Sequence, residues 1–300
     1  MKKEISVEIT EDLIVQGTDL VYMQKPFWCD AAFYSLKMSL LRPRRFFRYD
    51  RDYEPLPVIV WITGGGWTEV EHNVWLPELT YYAKHGFLVA SVSYSTSPTW
   101  TFPEPIREIR QAIRFLRAHA AELHLDPERI AVMGESAGGY YAAMAAATGG
   151  AAEFDTDEYA AYSSRVQAAV CFYPAIDMMD FECRGELASY DARPQGLLRG
   201  ETEPQSLFAG VEHLREHPAL GRKMDPRTYL DEKTPPMLLL HGTADTQVNY
   251  RHSIAMYEAL QAHGIEAELL LVDGAEHADA AFVQPAVKEE VIAFLKRHLK

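Results

Sequence analysis

Apolar residues along this chain gather in short continuous runs separated by amphipathic stretches, the pattern of strands buried on both faces alternating with helices. The strand-like runs are "PVIVWIT" (57–63), "GFLVASVSY" (86–94), "RIAVMG" (129–134), "VQAAVCFYP" (166–174), "PMLLLHG" (236–242) and "AELLLVDG" (267–274). Between the first two, "VWLPELTYYAKH" is long enough for a crossover helix. Ile106, Ile109, Ile113, Leu116 and Ala120 then recur three or four apart, the buried stripe of an amphipathic helix, with Arg107, Arg110, Arg114 and Arg117 expected to point elsewhere. An alanine-rich helix starts at Ala137, another runs from about Val248 to His263, and the last starts near Ala281. Upstream, "EISVEIT" and "DLIVQGTDLVYM" alternate or run apolar in the manner of edge strands. This order predicts an α/β fold, a mainly parallel central sheet with helices on both faces. Over 177–234 the periodicity fades and Pro, Gly and charged residues crowd in. That segment reads as an insertion with short helices inside a single domain spanning 1–300.

Composition narrows the classes of function. The chain has 300 residues, 48% hydrophobic and 24% charged, which suits one large globular unit. Its 43 acidic residues outnumber 29 basic ones, and a net charge of -14 repels phosphate backbones and anionic lipid. Neither nucleic acid nor membrane is an expected partner. "RPRRFFRYDR" (42–51) is a single basic cluster in an acidic chain and reads as a solvated face. No run reaches the ~18 apolar residues of a membrane span, and "MKKEISVEIT" lacks the apolar core of a secretion signal, so a soluble cytoplasmic protein is the expectation. Cys29, Cys171 and Cys183 form no CxxC pair and read as reduced structural thiols. Eleven histidines include no HExxH, and "HLREH" (213–217) reads as surface, so no metal is expected.

The chemistry gathers where strands end. In an open parallel sheet, ligands bind beyond the carboxyl ends of the strands. "IAVMGESAGGYYAAMA" (130–145) places Ser136 in the turn after one such strand, between Gly134 and Gly138 at the spacing G-x-S-x-G. Small neighbours permit the tight strand-to-helix turn that lifts a serine hydroxyl clear of the backbone. A serine nucleophile needs a base and a group to orient that base. Asp245 follows the strand in "LLLHGTADTQV" and His277 follows the strand in "LLLVDGAEHADAAF", giving the chain order serine, acid, histidine. Asp273 and Glu276 compete as acids, but they share the histidine's own loop and have difficulty reaching its far nitrogen, so Asp245 is preferred. "TGGGW" (63–67) after another strand offers backbone N–H groups for an oxyanion, with the N–H of Ala137 as partner donor. Neither GxGxxG nor GK[ST] is present, which speaks against a phosphate loop.

"TGGGW", "GESAGG", "HGTAD" and "GAEH" in this order resemble the α/β-hydrolase fold, and within it the carboxylesterase branch of hormone-sensitive-lipase-like and feruloyl-esterase-like (BD-FAE-type) enzymes. The likeness runs from about residue 55 to the carboxyl terminus. It implies a Ser136, His277 and Asp245 triad, with Gly65 and Gly66 as oxyanion glycines, joined by Ala137 and sharing the role with Trp67. Thr63 stands where the family's HGGG motif has its histidine. The resemblance implies a small-molecule ester substrate, short-acyl and soluble, no cofactor, and a cap formed by residues 24–52 and 177–234. Trp67, Tyr94, Trp100, Tyr140 and Tyr141 are candidates for pocket lining or for core. An amide or peptide hydrolase of the arylformamidase or prolyl-peptidase type would use the same three residues, and a non-catalytic binding protein on this fold is the third alternative. Whether copies of the chain associate stays open.

Overall fold

The computed structural model describes residues 1–8, 10, 12–27, 29–44, 54–180 and 203–300. Cys183, the distal part of the basic cluster at 42–51 and residues 181–202 of the insertion lie outside the described residues. Eight strands make one sheet: β1 (Leu13–Phe27), β2 (Cys29–Arg44), β3 (Leu56–Ile62), β4 (Leu88–Val92), β5 (Leu125–Glu135), β6 (Ala168–Phe172), β7 (Met237–Gly242) and β8 (Ala267–Val272). Their spatial order is β1-β2-β4-β3-β5-β6-β7-β8. From β4 to β8 every pairing is parallel, while β2 runs antiparallel to both β1 and β4.

Alternate residues of each strand feed opposite faces, as the pleat requires. Val58, Val60 and Ile62 of β3 pack with α2 (Glu104–Ala118), α4 (Ala137–Ala147) and α7 (Arg251–Ala262). Ile59 and Trp61 of the same strand pack with α1 (Leu76–Lys84) and α8 (Pro285–His298). Covered on both sides, the parallel strands carry continuous apolar runs, which is why they stand out in the sequence. The short α3 (Ala120–Leu123) leads into β5. The insertion supplies α5 (Pro204–Ala209) and α6 (Pro218–Lys223).

One expectation needs correction, and two segments gain detail. The stretch "EISVEIT" forms no strand over its described residues; edge pairing begins at Leu13. Residues 24–27 and 29–44, within the segment expected to contribute to a cap, belong to a sheet hairpin. Met38 pairs with Val92, so residues 24–36 of the hairpin run on past the carboxyl edge of β4. There Lys25 Nζ donates to Glu108 at 2.5 Å and pairs with Glu104 at 3.0 Å, while Phe27 and Tyr34 pack on Trp100. Arg110, Arg114 and Arg117 reach away from the apolar stripe and are themselves buried. Residues 148–165 cover that flank of α2 and present backbone carbonyls to the guanidiniums. Asp155 pairs with both Arg110 and Arg114. Peptide carbonyls leave no mark in a pattern of side chains, so the burial of the arginine stripe does not show when only the sequence is read.

The insertion is closed at its neck. Arg227 Nη2 donates to Asp177 Oδ2 at 2.6 Å and to Asp225 Oδ2 at 2.7 Å, joining the two ends of the segment. Beside this pair the Asp177 N–H donates to Nδ1 of His252 on α7 at 3.0 Å. Burial lowers the His252 pKa from 6.5 to about 4, against a smaller opposing pull from Asp177. His252 is therefore neutral in the folded protein and takes up a proton on unfolding once the pH drops below its ordinary value. Stability contributed this way is full above about pH 6.5 and is lost toward pH 4, at about 1.4 kcal/mol per pH unit, or about 3 kcal/mol in all. Denaturant titrations at each pH should show wild type losing up to that much more than His252→Gln across this window. Equal losses would show that the imidazole is not held neutral.

Candidate active site

Ser136 sits at the turn from β5 into α4 with φ 54 and ψ -121, a left-handed backbone that few non-glycine residues adopt. Its N–H donates to the Phe172 carbonyl at 3.0 Å, and its own carbonyl accepts from Tyr140 N–H, so the turn is tied to β6 and to the first turn of α4. Glycine is required around it. A Cβ at Gly134 would stand 2.4 Å from the Gly138 carbonyl oxygen, and one at Gly138 would stand 2.0 Å from the Ile62 oxygen. The serine turn and the end of β3 thus meet backbone to backbone.

Asp245 follows β7 and His277 follows β8, adjacent parallel strands. Ala244 N–H donates to Ala275 O at 3.1 Å, tying the two loops together. Across them, His277 Nδ1 lies 2.7 Å from Asp245 Oδ2, and His277 Nε2 lies 2.9 Å from Ser136 Oγ. The carboxylate can only accept, so Nδ1 carries the proton and Nε2 is left as acceptor for the serine hydroxyl. Asp273 and Glu276 are engaged elsewhere, with Thr243 and Thr246. The structure therefore brings together the three residues singled out from the sequence, with the preferred acid at the imidazole.

Two neighbours of this set were not foreseen. His241, fully buried on β7, has Nε2 3.2 Å from Asp245 Oδ2 and 2.9 Å from Val248 O, and Nδ1 2.7 Å from Ser253 Oγ. With two acceptors facing it, Nε2 carries the proton. Asp245 Oδ1 accepts from Gln247 N–H and Val248 N–H. Burial alone would raise the Asp245 pKa, but the hydrogen bonds from His241 and His277 outweigh it and hold the carboxyl well below its usual range. Tyr173, at the end of β6 with φ 36, packs its ring edge-on to His277 at 4.7 Å and fixes the imidazole plane from the side. The signal for His241 was in "HGTAD", four residues before the acid, but no period or spacing rule reads that offset.

The glycine loop follows β3, the strand next to β5. Gly65 O accepts from Thr68 N–H and Glu69 N–H, and Trp67 O accepts from the N–H and the hydroxyl of Ser97. Thr63 is engaged at both ends: Trp61 Nε1 donates to its Oγ1 at 3.0 Å, and Tyr94 OH donates to its carbonyl at 2.7 Å. Gly66, with φ 57, faces open space where a Cβ would stand. Among the described residues, no hydrogen bond takes the N–H of Gly65, Gly66 or Ala137. Trp67, Tyr94, Tyr140 and Tyr141 are fully buried and belong to the core; Trp67 stacks on Phe208 of α5 at 5.7 Å and meets Tyr140 edge-on. Glu135, the residue before the serine, is also buried; its Oε1 accepts from Gly64 N–H at 2.5 Å and from the Trp75 indole at 3.2 Å. Burial raises its carboxyl, opposed by Gly64 N–H, the nearby His277 and the indole.

Cys171, on β6, is a buried free thiol pushed up to about 12 by burial, and so takes no part as a nucleophile. Among the described residues no helix is long and apolar enough to cross a membrane.

Residues 47–260 match the BD-FAE family model. The chain belongs to the BD-FAE family. Curated relatives of this BD-FAE chain include a probable isoprenylcysteine alpha-carbonyl methylesterase of Oryza sativa subsp. japonica, 28% identical over 236 residues, 76% of this chain and 52% of that one. Esterase LipQ of Mycobacterium tuberculosis is 26% identical over 215 residues, 69% of this chain and 46% of that one. The BD-FAE chain thus spans about half the length of the curated relatives it matches. Among solved structures, a truncated carbohydrate esterase from gut microbiota superposes with a TM-score of 0.74 at 20% identity, covering 95% of this chain and 96% of that one. The bifunctional GH43-CE protein of Bacteroides eggerthii gives 0.76 at 26%, covering 95% of this chain and 38% of that one. The sheet order and these superpositions establish the α/β-hydrolase fold for the BD-FAE chain.

Proposed function

We propose that this chain hydrolyses carboxylic esters through an acyl-enzyme formed on Ser136. The observation that carries the reading is the unbroken path from Asp245 through His277 to Ser136 Oγ, beside backbone N–H groups that no hydrogen bond takes among the described residues. His277 Nε2 takes the hydroxyl proton as Ser136 Oγ attacks the carbonyl carbon, and Asp245 stabilises the imidazolium that results. The oxyanion that forms is met by N–H groups of Gly65 or Gly66 and of Ala137. Collapse of the tetrahedral intermediate breaks the bond to the alcohol, which leaves with the proton from His277. Water then repeats the sequence and releases the acid. The relatives described above, an esterase and a probable methylesterase, support the same reaction class.

Within that class, the proposed substrates are small, soluble, short-acyl esters. Trp67 follows the glycine loop directly, and with Phe208 and Tyr140 it fills the apolar space on that side. Aryl esters from acetyl to octanoyl, assayed beside the matched acetyl anilide, test this reading. The expected result is fastest turnover of acetyl or propionyl ester, with at least about a tenfold fall in kcat/KM by octanoyl, since one misfitting methylene in an apolar pocket costs about 1–3 kcal/mol. Faster turnover of the anilide than of the acetyl ester would transfer the chain to the amidases.

A further inference from the structure

The glycine loop is pinned at its two ends and at its turn, and the pin nearest the serine comes from an unexpected place. Trp67 O is held by Ser97, Gly65 O by Thr68 and Glu69, and Gly64 N–H by the carboxylate of Glu135. We propose that Glu135 is a positioning residue for the hydrolytic reaction, holding the glycine loop so that its next N–H groups point at the oxyanion.

The geometry supports this in three ways. First, Glu135 immediately precedes Ser136, so one peptide unit links the brace to the nucleophile. A shift of the loop is thereby felt one residue from the hydroxyl. Second, the fit is tight: a Cβ at Gly64 would lie 2.7 Å from Glu135 O, 2.7 Å from its Oε1 and 2.8 Å from its Oε2. Third, a buried carboxylate is costly unless it accepts strong hydrogen bonds, and it does so here from a loop peptide and the indole of Trp75. Thr63 takes the Trp61 indole N–H on its hydroxyl and the Tyr94 hydroxyl on its carbonyl, so its side chain does not reach forward along the loop. The contact to Gly64 N–H is made from the serine turn.

This inference rests on the esterase reading, and its test separates the two. Glu135→Ala removes the acceptor, and Glu135→Gln restores an amide oxygen in the same place. With an acetyl aryl ester, the Ala variant should lose about 10–100-fold in kcat while KM stays within about threefold, because a misaligned oxyanion donor acts on the transition state and not on ground-state binding. The Gln variant should recover to within about fivefold of wild type. Backbone hydrogen exchange over residues 63–68 gives a readout independent of turnover: faster in the Ala variant, and close to wild type in the Gln variant. An Ala variant with wild-type kcat and exchange, or a Gln variant as impaired as Ala, would overturn the brace. A wild-type protein inert toward esters would overturn the esterase reading, while the exchange result would still decide the brace.

Discussion

Ser136→Ala should lower aryl-ester turnover by about 10⁴-fold or more, the scale set when a nucleophile acting as a unit with its base is removed. The fold should survive intact. The Ser136 hydroxyl reaches His277, whereas the bonds that tie the turn to β6 and α4 come from backbone atoms that alanine keeps. A fluorophosphonate probe should therefore label wild type and fail on Ser136→Ala, with thermal unfolding shifted by no more than a few degrees. The buried Cys171 gives the probe no second target. Labelling of neither protein would leave a non-catalytic binder as the better account, and undiminished labelling of the variant would place the nucleophile elsewhere.

Gly138→Ala is the second large effect, and it acts through the backbone. The added methyl would meet Ile62 O at 2.0 Å, Ile62 C at 2.7 Å and Thr63 C at 2.9 Å, all main-chain atoms that no rotamer change can clear. Either α4 lifts from the sheet or the end of β3 is pushed away, carrying the glycine loop with it. Overpacking of this kind costs about 1–3 kcal/mol or more, and alanine's better helix propensity of about 1 kcal/mol does not offset it. Activity should fall by at least about 100-fold, since a shift of about 1 Å in a reacting group is enough for that. Gly17→Ala is the control: nothing stands within 4 Å of its Cβ, so stability should change by no more than about 0.5 kcal/mol. Wild-type activity in Gly138→Ala would mean that the two backbones are not in contact.

Much of this architecture was legible because burial on both faces writes itself into composition. The runs at 57–63, 129–134 and 236–242 are continuous and apolar, and each is a strand in the structure. Ser136, Asp245 and His277 were legible for a related reason: each is a polar residue just past such a run, and parallel strands deliver their ends to one rim. What the sequence hid depends on contacts between distant segments. The pairing of β2 with β4 is such a contact, as are the carbonyls around Arg110 and Arg117. Glu135 and His241 lay within recognisable motifs, yet their roles depend on Gly64 and Asp245, 71 and 4 positions away, meeting them in space.

The neck at Asp177 and Arg227 has an evolutionary corollary. A segment whose ends are stapled together over a salt bridge of 2.6 Å leaves and re-enters the fold at one place. The stretch between the staple and α5 can change length with only a slow logarithmic rise in loop entropy, whereas α5 itself, whose Phe208 is buried on Trp67, is held by the core. Diversification of what enters the rim can then proceed by lengthening or shortening that stretch while α5 and the three reacting side chains stay where the core puts them.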